Sequence, residues 1–205
     1  MSNLPAKILS VLFHPLLMPT YGMIILFTQV DLYFVLSIQP KAQLIISGLV
    51  FLNTFVIPSI IIAYLYSKGK ISDIQISMKE ERWIPLVITS ILYMSTYYLL
   101  RNIGLNRFFL LVMATAILAI VISFIINIWW KISVHMIGIG GLTGAIYCIA
   151  ASFNTNLNPT LILAFILAGF LGYSRLKLKQ HTLAQVLVGY CTGFGISLGL
   201  LGLTL

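Results

Sequence analysis

The sequence predicts an all-α, polytopic bundle of six to seven transmembrane helices with its polar residues gathered at one membrane face. Three observations carry that expectation. First, 60% of the 205 residues are hydrophobic and the mean hydropathy is +1.06, more apolar surface than a soluble domain of this length can hide, whereas lipid accepts it. Second, the apolar residues fall into seven separated runs. Third, the charges, 12 Lys and Arg against 4 Asp and Glu, lie mostly between those runs.

The runs are 8–28, 42–66, 84–100, 108–128, 134–152, 159–173 and 182–204. A helix needs about 20 residues to cross the hydrocarbon core. The first, second, fourth and seventh runs meet that length, and the third, fifth and sixth fall short of it. Pro15 and Pro19 lie inside the first run, which predicts a kinked or re-entrant segment. That run is too long for a cleavable leader and lacks a small-residue cleavage site. Residues 1–205 are expected to form a single integral membrane domain. Cys148 and Cys191 lie within apolar runs and read as packing residues. The net charge of +8 suits membrane headgroups or an anionic ligand. The cations are not clustered on a polar domain, which argues against nucleic acid. The Gly-rich last run suits close helix packing and leaves the oligomeric state undecided.

Seven crossings fix which loops share a face. With the N-terminus on side A, the polar loops 67–83, 129–135 and 174–181 all return to side A, and 29–41, 101–107 and 153–158 face side B. Lys79, Arg82, Lys131, His135, Arg175 and His181 then converge at one mouth of the bundle. Cations and imidazoles gathered there form a candidate anion site.

The spacing within the third loop specifies more. His181 and Gln185 are four apart and share a helix face. The Gln185 carbonyl is placed to accept from Nδ1–H of His181, leaving Nε2 with a free lone pair, as a nucleophile requires. Arg175 offers a planar fork to phosphate oxygens. Ser133 is placed to N-cap the fifth helix, whose free N–H groups favour phosphate. His135 is then placed to protonate a leaving oxygen, and Lys79 and Arg82 to neutralise the transferring group. His14, beside Pro15, is expected to face the bundle interior outside this site. Three of the four acids lie in one loop, so a carboxylate-bridged metal pair is hard to build.

Ser174-Arg175-x5-His181-x3-Gln185 resembles the third signature, SR-x5-H-x3-D, of the type 2 phosphatidic acid phosphatase superfamily. Ser133-Val134-His135 resembles the second, PSGH, and Lys79-Glu80-Glu81-Arg82-Trp83-Ile84-Pro85 resembles the first, K-x6-RP, with compressed spacing. The resemblance covers about 79–185 and implies a phosphatase-like core over 67–205. It implies His181 as nucleophile, His135 as general acid, and Arg175, Lys79 and Arg82, with Ser133 and Ser174, as phosphate ligands. It also implies hydrolysis of a lipid phosphate or diphosphate through a phosphohistidine without metal or cofactor, in a bacterial plasma membrane. This chain departs from the pattern at Gln185, where the family has Asp, and at Ile132 and Val134, where it has Pro and Gly. Two apolar runs also separate the first and second motifs. A neutral amide orients His181 but does not stabilise its imidazolium as a carboxylate does. A relative that binds or transports a phosphorylated lipid without cleaving it is therefore an alternative expectation, and an unrelated anion transporter a third. Nine cations on side A against three on side B place the site in the cytoplasm by the positive-inside rule. The resemblance places it outside, and the sequence does not choose.

Overall fold

The computed structural model describes residues 3–74, 76 and 78–205. Among these, seven stretches are long and apolar enough to cross a membrane, as the seven runs predict, and the protein is an all-α polytopic bundle. The first span is broken: α1 (Leu4–Leu12) and α2 (Met18–Gln29) flank a 3-10 turn, Pro15–Leu17. Pro15 disfavours helical backbone at His14, which sits at φ −64°, ψ 136°. A single turn, α3 (Tyr33–Leu36), follows. The second span runs through α4 (Pro40–Phe51), a π-helical turn (Leu52–Val56) and α5 (Ile57–Ser67). The π turn lies just before Pro58, whose ring cannot take a normal helical hydrogen bond.

The remaining spans are single helices: α6 (Trp83–Asn102), α7 (Arg107–Trp129), α8 (Val134–Phe153), α9 (Asn158–Lys177) and α10 (Leu183–Leu200). The three runs that looked short are full spans of 20 residues each. Most of the difference is in α9, which continues through Ser174 and Arg175 to Lys177. Hydropathy falls there because the side chains turn polar, while the backbone stays helical and buries both residues against the bundle.

α8 is the central helix, with α7, α9 and α10 all packed on it. It meets α10 at backbone distance. A Cβ on Gly140 would lie 2.3 Å from the Tyr190 carbonyl oxygen, and one on Gly193 would lie 2.0 Å from that of Ile137. Only glycine permits this approach. Gly195 and Gly199, on the same helix, have nothing within 4 Å. At the end where α8 finishes, Phe34, Phe108, Phe109 and Phe153 pack edge to face, so rings fill the bundle interior there. Tyr33, Leu44, Ile60, Ile91 and Ile162 project outward, as a lipid-facing surface requires.

Candidate active site

The site begins with the break in α1. His14 N–H bonds to the Val11 carbonyl, so the Ser10 carbonyl does not receive the residue-14 N–H that a continuous helix would give it. His135, in the first turn of α8, takes it: its Nε2 lies 3.1 Å from the Ser10 carbonyl oxygen. Because a carbonyl only accepts, Nε2 carries the proton and Nδ1 is the free nitrogen of the neutral ring. The buried Ser10 hydroxyl accepts from Arg175 Nη1 at 3.2 Å. One residue of the first span thus ties α8 to α9.

His14 stands beside them. Its Nδ1 accepts from Leu16 N–H at 3.3 Å, which places the hydrogen of its neutral ring on Nε2. The ring sits edge-on to His135 with centroids 5.2 Å apart, and edge-on to Phe55 at 6.2 Å. Phe55 comes from the π turn of the second span.

Two guanidinium groups are buried at this end, Arg82 at 7% exposure and Arg175 at 3%. Arg82 donates from Nε to the Ile76 carbonyl at 2.9 Å and from Nη1 to the Ile132 carbonyl at 3.2 Å. Ile76 adopts φ 50°, an uncommon conformation for a β-branched residue. Burial pushes the Arg82 pKa down, and the charge of Asp73 opposes the shift. Arg175 Nε has no partner. Half-buried Lys131 also has a lowered pKa, from burial and then from Arg82 and Arg175. Arg82, Lys131 and Arg175 thus gather positive charge at this end, with Asp73 and Glu80 acting against it.

His181 lies in the turn between α9 and α10, and α10 starts with a capping box. Thr182 Oγ1 accepts from Gln185 N–H at 3.4 Å, and Gln185 Oε1 accepts from Thr182 N–H at 3.1 Å. A backbone N–H must meet the amide oxygen, so the box also settles how the Gln185 amide is turned. That oxygen lies 3.2 Å from His181 Nδ1, so Nδ1 is the protonated nitrogen and Nε2 holds the lone pair, as the four-residue spacing predicts. Burial, followed by Arg82 and Arg175, holds the His181 pKa down at about 3, against a small upward pull from Gln185. The ring is neutral at physiological pH.

Arg82, His135, Arg175 and His181 line one cavity of about 170 Å³, and His14 lines it too. The other expected residues stand around it. Gln185 acts through His181. Ser133 N-caps α8 through its backbone, with its fully buried hydroxyl unpartnered. Ser174 turns its hydroxyl back to the Phe170 carbonyl at 2.8 Å. Lys79 is half-buried, and its carbonyl accepts from Asn127 Nδ2 at 3.0 Å. Ser10 and His14 were not anticipated as site residues, and a core confined to 67–205 omits both. The signal available for His14 was the His-Pro pair, a polar ring beside a helix break in an apolar run. Among the described residues, no three His, Cys, Asp or Glu side chains are grouped to hold one metal ion. No family model, curated protein or solved structure matches the chain.

Proposed function

We propose that this protein is a membrane lipid phosphatase or diphosphatase of the type 2 phosphatidic acid phosphatase kind. The observation that carries the reading is the His181–Gln185 pair. It leaves a neutral imidazole with its Nε2 lone pair free, in a cavity shared with two buried guanidinium groups. An uncharged nucleophile surrounded by cations suits attack on a phosphate, whose negative charge would otherwise repel it.

In this mechanism Arg82 and Arg175 hold the phosphate oxygens. His181 Nε2 attacks phosphorus, forming an N–P bond as the bond from phosphorus to the leaving lipid oxygen breaks. His135 holds its Nε2–H against the Ser10 carbonyl, so Nδ1 of the neutral ring is free to take the proton carried in by a phosphate monoanion and pass it to the leaving oxygen. Water then attacks the phosphohistidine, His135 Nδ1 takes the proton, and the N–P bond breaks to restore His181 and release phosphate. Bound phosphate charge raises the basicity of His181, offsetting the cations that depress it in the free protein.

A second reading is a protein that binds a phosphorylated lipid without cleaving it. Gln185 favours it, because a neutral amide gives no charge stabilisation to the cationic ring formed on attack. Phosphate release from short-chain phosphatidic acid, measured in detergent with EDTA, separates the two. Release that disappears in His181→Ala supports the enzyme. Saturable binding with no release supports the second reading, and release that survives His181→Ala rules out this nucleophile.

A further inference from the structure

The cavity does not end at its polar mouth. Along α6 it is lined by Arg82, Pro85, Leu86, Thr89 and Tyr93, one helical face reaching about 16 Å from its cation. Along α8 it runs from His135 to Ile149, about 21 Å. Beyond the mouth the wall is hydrocarbon: the hydroxyls of Thr89, Thr115 and Ser123 are turned back to carbonyls of their own helices. Small side chains open the space, among them Ala116 and Ala119 of α7 and Gly22 of α2. Tyr93 is 1% exposed and lines the cavity, and its hydroxyl has no partner.

Close-packed interiors rarely leave voids larger than a water molecule. An apolar cavity of about 150 Å³ accepts a benzene ring, and this one is of that order at about 170 Å³. Its charged groups are confined to the mouth and its deep wall is apolar apart from the Tyr93 hydroxyl, so a complementary ligand is an anion joined to hydrocarbon. The cavity is lined chiefly by the first, third, fourth and fifth spans, with Ile62 of the second.

We infer that this is an internal shaft for one hydrocarbon chain, and that the ligand is a single-chain lipid phosphate rather than a two-chain one. The identity of the headgroup rests on the phosphatase reading above, while the shaft rests on the cavity itself. A volume of about 170 Å³ is filled by one chain and leaves no room for a second beside it.

The test uses the full-length protein in nanodiscs of uncharged lipid, with butyl, decyl and farnesyl phosphate and dioctanoyl phosphatidic acid as probes. Thermal stabilisation and phosphate release are read separately. Stabilisation is expected at concentrations at least about tenfold lower for decyl than for butyl phosphate, with the two-chain lipid weaker than either long single chain. Ala119→Phe is expected to collapse the decyl-to-butyl ratio. Val112→Phe, seven residues and about 10 Å further in, is expected to act on farnesyl before decyl phosphate. Two variants at different depths guard against one that fails to fold. Equal response to butyl and decyl phosphate, a ratio untouched by folded Ala119→Phe, or tighter binding of the two-chain lipid would each overturn the shaft. Chain-length-dependent stabilisation without phosphate release upholds the shaft and removes the phosphatase reading. Release indifferent to chain length does the reverse.

Discussion

Arginines stand at both ends of this bundle, and the two ends treat them differently. Arg101, in the last turn of α6, and Arg107, at the start of α7, are exposed, where water solvates them and their effect is on topology. Arg82 and Arg175, at the opposite end, are buried with few partners. Removing an ion from water costs several kcal/mol, and a folded protein retains that cost where something else balances it. The charge of Asp73 offsets part of that cost at Arg82 by raising its pKa. The difference between the ends teaches that the same residue type sets topology where water reaches it and lines a cavity where the bundle buries it.

The sharpest way to break this comparison is at the nucleophile. His181→Ala should lower phosphate release at least about 10³-fold, measured as metal-independent turnover, while Arg101→Ala leaves it unchanged. Next, Arg82→Leu and Arg175→Leu should each weaken phosphate binding by about 30-fold or more, the lower end of what a buried charged contact contributes. The same change at Arg107 should do nothing. Equal effects at the two ends, read by phosphate titration, would dissolve the distinction.

Gln185→Glu sharpens the comparison from within the site. Glutamate keeps the acceptor oxygen for both His181 Nδ1–H and Thr182 N–H, and the Thr-x-x-Glu box remains intact. It adds the charge that the amide lacks, so turnover should rise by about tenfold. No rise in turnover would mean that Gln185 is not what limits the imidazole. A packing contrast follows on α10: Gly193→Ala should cost about 3 kcal/mol of stability, from overpacking against Ile137, and Gly195→Ala close to nothing. Thermal unfolding of both variants checks this.

The smallest effect is a titration. His181 should remain neutral down to a pH of about 3. Between its ordinary value and that one the unfolded chain binds the extra proton and the folded protein does not. Its contribution to stability is thus complete above about pH 6.5 and is lost as pH falls toward 3. NMR of labelled histidine should show this value rising in Arg82→Leu, because the second-largest cause of the depression has gone. An unchanged value would separate Arg82 from His181.

Much of the fold was legible in the sequence because crossing a bilayer is a local demand. Each run of apolar residues meets it alone, so the seven spans and the face shared by Arg82, His135, Arg175 and His181 could be read before any packing was known. The His181–Gln185 contact was legible for the same reason, since helix geometry brings residues four apart together. The end of α9 was less so: hydropathy marks a change at Ser174, while the helix runs to Lys177.

What the sequence by itself determined was therefore the class, the spans and the local pairing around His181, all set by interactions within a few residues of chain. The tertiary structure alone decided that a broken first helix would free the Ser10 carbonyl for His135, 125 residues away, and set His14 against the same ring. It also decided that the space beneath would be a cavity rather than packed core. Those outcomes depend on how helices from distant parts of the chain meet, and the glycines that let α8 and α10 touch fix that approach only once both helices are in place.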